Sequence, residues 1–267
     1  MKAKVPICLS LTLWVAYSAS AALAQSDDYD KFSLSLGVFF TDRESDTRID
    51  SSMGSPGTDF DAEEVLGLDK TTSVFRIDGY FRFAPKHQIN ISAFDLSRSA
   101  TAQLLQDIDW GETMFVAGTE MDSNFDLRIY KIDYTWRFMQ KDQGYFGATG
   151  GLYIADIGIG ITGSFLGQQE IGDVTAPLPV IGLRGEYNFS ERWSFRADAE
   201  IFFFEYGDFD GSLYDVYAGV DYNVFEHMDI GIGLNSVRMD LGVTKRFFTG
   251  NFDWEYTGAL LFVKFDW

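Results

Sequence analysis

The last nine residues, ALLFVKFDW, put an apolar or aromatic side chain at every odd position: Ala259, Leu261, Val263, Phe265 and Trp267. Side chains of a β-strand alternate between its two faces, so this stretch makes a strand with one uninterrupted apolar face. The even positions include the charged Lys264 and Asp266. One face suits lipid and the other a polar interior, which is the pattern of a strand in a membrane-spanning barrel.

The opposite end is consistent with export. Lys2 and Lys4 precede an apolar stretch from Val5 to about Tyr17, and small residues close in Ala22-Leu23-Ala24. This predicts a cleaved signal peptide over 1–24 and a barrel domain over 25–267. The apolar stretch is too short for a spanning helix. Cys8, the one cysteine, lies in this leader behind Val5, Pro6 and Ile7, without the small residue a lipid-anchor cleavage site needs. A mature chain without thiols excludes disulfides, thiolate metal sites and cysteine nucleophiles.

Turn signals counted back from Trp267 divide the mature chain into ten alternating segments, near 31–41, 71–83, 88–100, 124–138, 145–161, 175–189, 193–205, 213–225, 228–242 and 252–267. Eight or twelve strands remain open, because 101–123 can extend two strands beyond the membrane or form its own hairpin. The connectors 84–87, 139–144, 190–192 and 226–227 are short, and those between them are mostly longer. Short periplasmic turns and long extracellular loops are the asymmetry of an outer-membrane barrel. Phe75, Ile77, Phe81 and Phe83 alternate with Arg76, Asp78, Tyr80 and Arg82, which assigns the first set to lipid and the second to the lumen. Two segments switch parity: Phe125, Leu127 and Ile129 give way to Ile132, Tyr134, Trp136 and Phe138, and Ile230, Ile232 and Leu234 to Val237, Met239 and Leu241. Either a bulge or a strand rising out of the membrane shifts parity in this way.

The alternating segments and the aromatic C-terminus resemble Gram-negative outer-membrane β-barrels, of the small OmpA-like and OmpW-like porin-superfamily type. The resemblance implies an all-β fold, a single antiparallel transmembrane barrel in the bacterial outer membrane. It implies that the barrel-assembly machinery reads Ala259, Leu261, Val263, Phe265 and Trp267. It also implies a monomer surrounded by outer-membrane lipids and lipopolysaccharide. A mean hydropathy of -0.06 with 16% aromatic residues suits a chain of which half of each strand meets lipid. The net charge of -19 becomes -21 without the two leader lysines, so the chain repels nucleic acid.

The lumen set holds both signs: Arg76, Asp78, Arg82, Lys131, Asp133, Arg137, Arg184, Glu186, Arg196, Asp198, Glu200, Asp215, Asp221, Asp229, Lys264 and Asp266. A barrel this narrow is filled by side chains or holds something small. Interleaved signs favour a salt-bridged plug over a selective pore, which would concentrate one sign. Outer-membrane barrel enzymes that act on lipids or peptides resemble one another in using a histidine near the outer rim. The two histidines here, His87 and His227, fall in periplasmic turns, so a Ser-His or Asp-His mechanism lacks its base.

Negative charge gathers in the extracellular loops: 42–70 carries nine acids and three bases, and 101–126 six acids and no base. Asp59, Asp61, Glu63 and Glu64 in DFDAEE, and Asp208 with Asp210 in GDFDG, are weak calcium candidates, as neither matches a calcium loop. The other reading of these acids is a solvated loop surface, and no cofactor is expected beyond such a divalent cation. The leading functional reading is a structural or surface-interaction protein with a closed lumen. The alternatives are a narrow, weakly cation-preferring channel and, third, an enzyme using carboxylates alone.

Overall fold

The computed structural model describes residues 30–50, 57–110, 113–163, 168–206, 209–245 and 248–267. The expected leader with Cys8, and Asp208, lie outside them. The described residues contain β1 (Phe32–Ile49), β2 (Phe60–Asp61), α1 (Ala62–Leu66), β3 (Thr71–Ala84), β4 (His87–Gln103), β5 (Ile108–Trp110), β6 (Thr113–Phe115), β7 (Glu120–Lys141), β8 (Gly144–Gly163), β9 (Gln168–Asn188), β10 (Trp193–Tyr206), β11 (Phe209–Phe225), β12 (Met228–Lys245) and β13 (Phe248–Asp266). Ten of the strands pair with their chain neighbours, all antiparallel, and β13 returns to β1 to close the barrel.

Closure uses the C-terminal apolar face. Leu34, Leu36, Val38 and Phe40 of β1 lie opposite Phe265, Val263, Leu261 and Ala259 of β13. The carbonyl of Trp267 accepts from the Lys31 and Phe32 amides at 2.8 and 2.7 Å, and its own amide donates to the Phe32 carbonyl at 2.9 Å. The terminal strand therefore has no free edge in lipid, where an unpaired peptide group costs several kcal/mol.

The short turns fall where the sequence places them, and all ten strands match their expected positions. The strands overrun their expected limits chiefly at the loop end: β1 continues through Ile49, and β7 begins at Glu120. The parity switch in β7 is no bulge. Odd-numbered residues from Met121 to Arg137 are inward throughout, and the register with β4 and β8 is unbroken from Met121 to Trp136. What changes is chemistry: Lys131, Asp133, Thr135 and Arg137 are inside below the switch, and Phe125, Leu127 and Ile129 above it. On the outer face, Tyr130, Ile132, Tyr134 and Trp136 are exposed below, whereas Asp122, Asn124 and Arg128 are exposed above. β12 repeats this without a register shift, with Val237 and Met239 buried above Asn235.

The barrel is thus two structures in series. Around the short-turn half it is a membrane barrel, apolar outside and polar inside. Its loop-side extension is built like a water-soluble barrel, apolar inside and polar outside. The outermost apolar row on one side is Leu234, Ala259 and Phe40, which are register partners.

Two segments cover the mouth: α1, in a stretch expected as loop, and the β5–β6 hairpin, one of the forms left open for 101–123. Asp61 caps α1 by accepting from the Glu64 amide at 2.7 Å, and Gly67 ends it in the left-handed region (φ 69°), which a side chain disfavours. Ala62, Val65 and Leu66 of α1, and Leu104, Ile108 and Phe115 around the β5–β6 hairpin, are buried in the same core as Phe125 and Leu127. The side chains larger than Ala62 each contribute about 1.5–3 kcal/mol on burial.

One seam is incomplete. The β9–β10 pairing stops at Ile181 opposite Ile201, although β9 starts at Gln168 and β10 runs to Tyr206. Pro177 and Pro179 occupy the β9 stretch beyond this point, still opposite Ile154 and Leu152 of β8. Proline lacks the amide that a neighbouring strand would have received, so the open edge carries fewer unpaired donors.

Candidate functional site in the barrel interior

The lower interior is a charge network assembled from facing strands. Lys131 Nζ of β7 lies 2.6 Å from Glu200 and 3.2 Å from Asp215. Arg184 of β9 reaches Asp133 at 3.4 Å and Asp198 at 3.5 Å. Arg76 pairs with Asp78 and donates to Asn235 at 2.8 Å, and Asn235 in turn donates to Asp215 at 2.7 Å. Near the turns, Lys264 is held by Asp229 at 2.8 Å and by Asp221 and Asp266 at 3.2 Å. Arg196 lies over the ring of Tyr217 and donates to its hydroxyl, and Arg137 lies over Tyr145 at 3.4 Å. Tyr217 lies flat because Gly219 and Gly233 beneath it have no side chains; a Cβ on Gly233 would stand 2.5 Å from its ring. Among these charges a polar cavity of about 60 Å³ remains, room for a few waters.

Every member of the lumen set is on the inward parity of its strand, and all but Arg82, Arg137, Glu186 and Arg196 take part in the ion pairs just described. Arg82 lies 5.4 Å from the Tyr80 ring, and Glu186 borders the cavity. Two further inward arginines escape the sequence reading, Arg43 on β1 and Arg98 on β4. Both lie on inward parity, but Arg43 is beyond the strand limit expected at 41.

These two arginines sit in the extension, above the Phe40 row. Arg98 pairs with Glu63 of α1, donates to the Ser45 hydroxyl at 2.9 Å and to the Asp69 carbonyl at 3.2 Å, and stacks 4.6 Å over Phe125. The Ser45 amide donates to the other Glu63 oxygen at 2.9 Å. Arg43 is 1% exposed, and none of its three guanidinium nitrogens has a hydrogen-bond partner. Burial, and then the neighbouring Arg98 charge, push it down to about 10.

The DFDAEE carboxylates, expected as weak calcium candidates, have separate surroundings in the structure. Asp61 caps the helix, Glu63 turns inward to Arg98, Glu64 supplies the capped amide and is exposed, and Asp59 stays exposed. The four carboxylates do not converge. The missed signal was Asp61-Ala62-Glu63-Glu64, a helix N-cap followed three residues later by glutamate. Of the second pair, Asp210 is exposed on β11 opposite Gly242. Among the described residues, no three His, Cys, Asp or Glu side chains are arranged to hold a metal ion. His87 is at the start of β4, beside the turn, in contact with Tyr134, and His227 is exposed in its turn.

Above the apolar row, the outer face carries aligned acids. Asp240, Asp253, Asp46 and Asp61 are consecutive register partners across β12, β13, β1 and β2. One row nearer the belt lie Arg238, Glu255 and Glu44. Burial, then the hydrogen bond with Asp240, pushes Asp253 up to about 6, and burial and Asp61 raise Asp46.

No family model matches the chain, and no curated protein matches it in sequence. Solved structures do match. The outer membrane protease OmpT from Escherichia coli is similar with a TM-score of 0.59 and 11% identity, over 89% of this chain and 97% of that one. The fold is that of an outer-membrane β-barrel. OprG from Pseudomonas aeruginosa matches at a TM-score of 0.38 and 11% identity, over 90% and 96% of the two chains. Ail of Yersinia pestis matches at 0.31 and 10%, over 88% and 99%.

Proposed function

We propose that this protein is a monomeric outer-membrane barrel, delivered through a cleaved signal peptide and its C-terminal strand, that does not conduct and acts at the cell surface. The observation that carries this reading is the interior in two layers: an ion-paired lower half with about 60 Å³ of free space, and above it a packed apolar core. A hydrated ion path needs continuous polar lining, and the apolar layer interrupts it. The interior offers no histidine beside its carboxylates, which speaks for a non-catalytic role.

The working surface in this reading is the extension. Its acid row stands six residues above Phe40 along β1, roughly 20 Å of strand. Divalent cations bridging these acids to lipopolysaccharide phosphates are the partners we assign to it. Leu105, Met114 and Val116 add an exposed apolar tip near the mouth. Planar-bilayer recording tests the closed lumen: we expect a silent membrane, and stepwise cation-selective currents from purified protein would replace this reading with the channel. Binding of purified lipopolysaccharide is expected to require magnesium or calcium.

A further inference from the structure

We propose that Arg43 anchors a binding site for one small monovalent anion, of halide or formate size, inside the barrel beneath α1. The site lies in the extension, above the belt and apart from the lower charge network. Arg43 is opposite Tyr256, itself opposite Val237, the first apolar interior residue of β12 above the switch. Its guanidinium is buried with no acceptor at any of its three nitrogens. Trp254, diagonal to it across the β1–β13 pair, is also 1% exposed with Nε1 unpartnered. Two buried donor groups without an acceptor therefore lie on the inward face of adjacent strands.

Charge points the same way. Arg43 and Arg98 bring two positive charges into this pocket, and Glu63 returns one negative charge, already engaged by Arg98 and the Ser45 amide. Asp42 and Asp69 also favour the Arg43 charge, but both are exposed, and Asp42 accepts from the Arg43 backbone amide at 3.1 Å, not from its guanidinium. The buried sum is one positive charge. An uncompensated buried ion costs several kcal/mol, and an anion accepting from Arg43 and Trp254 removes both the charge and the donor deficit. Buried aromatic and aliphatic side chains enclose this level of the barrel, so the ligand proposed is a compact ion.

Because α1 covers the site, the test lets the barrel fold around the ion. Wild-type protein is refolded into detergent in sodium chloride or bromide against sodium gluconate at equal ionic strength, and thermal unfolding is recorded. A saturable stabilisation by chloride and bromide, absent with gluconate, is expected. Glu63→Gln removes the competing carboxylate and should tighten halide binding on the order of tenfold, while Arg43→Met should abolish the halide response. Crystals grown in bromide should show an anomalous peak beside the Arg43 guanidinium. Equal melting of the wild type in halide and gluconate with no bromide peak would overturn the proposal, as would a halide response that survives Arg43→Met. The wild-type measurements decide even where a variant fails to fold.

Discussion

Ile129 and Lys131 project into the barrel from the same face of β7, two residues apart, into opposite environments. Ile129 is 1% exposed in the apolar core, whereas Lys131 is clamped by Glu200 and Asp215. On the outer face, Tyr130 and Ile132 meet the belt while Arg128 pairs with Asp95 and Asp156 in solvent. The membrane boundary is therefore written into both sides of one strand at one level.

The extension should answer to mutation as a soluble core does. Leu127→Ala removes a fully buried side chain from a close-packed layer and is expected to cost about 2–5 kcal/mol. Its outward neighbour Arg128, in exposed pairs, should change stability by less than about 1 kcal/mol when replaced by alanine. Urea unfolding in lipid vesicles measures both, and equal losses would contradict a packed extension.

In the lower half the same logic concerns charge. Lys131→Met leaves Glu200 and Asp215 facing each other without their cation, at a loss of about 3–5 kcal/mol. The triple change Lys131→Met, Glu200→Gln, Asp215→Asn removes the charges together and should recover most of that loss. A triple variant no more stable than the single one would show that packing around Lys131, and not charge, sets the cost.

Much of this architecture was legible from residue order. Period-two alternation located ten strands and four short turns, because lipid outside and charge inside impose opposite chemistries on neighbouring residues. The parity switch at Ile129 and Ile132 was visible too, but alternation alone cannot say whether the faces or their environments exchange. The unbroken register to Trp136 decides that. The grouping of Arg98, Glu63 and Ser45 stayed hidden because it depends on α1 folding over the mouth, with contacts between positions 18 to 53 residues apart. The open β9–β10 seam depends on pairing, which only Pro177 and Pro179 hint at in the sequence.

That seam predicts a local difference in backbone protection. The β10 amides that point toward β9 are paired up to Ile201, where the β9–β10 register ends, while the pairing with β11 continues to Tyr206. Hydrogen exchange should be faster on β10 above Ile201 than between Phe195 and Ile201. Uniform protection along β10 would mean that β9 closes over it in solution.

The acid row gives a pH dependence whose sign follows from Asp253. Burial and its shared hydrogen bond with Asp240 raise its pKa to about 6, above the unfolded value near 3.8. The folded state thus binds more protons than the unfolded state between about pH 4 and 6, so stability falls as pH rises through that window and levels off above it. Asp46, raised by burial and Asp61, adds in the same direction. Asp240 contributes with the opposite sign: against the push of burial, the hydrogen bonds with Asp253 and Ser212 and the Arg238 charge hold it low. The row faces water, and screening keeps the effect within about 1 kcal/mol. Asp253→Asn should therefore be more stable than the wild type at pH 8 and equal to it near pH 4, as read from unfolding midpoints at both values. A variant that gains nothing at pH 8 would show that the aligned aspartates do not repel one another in the folded barrel.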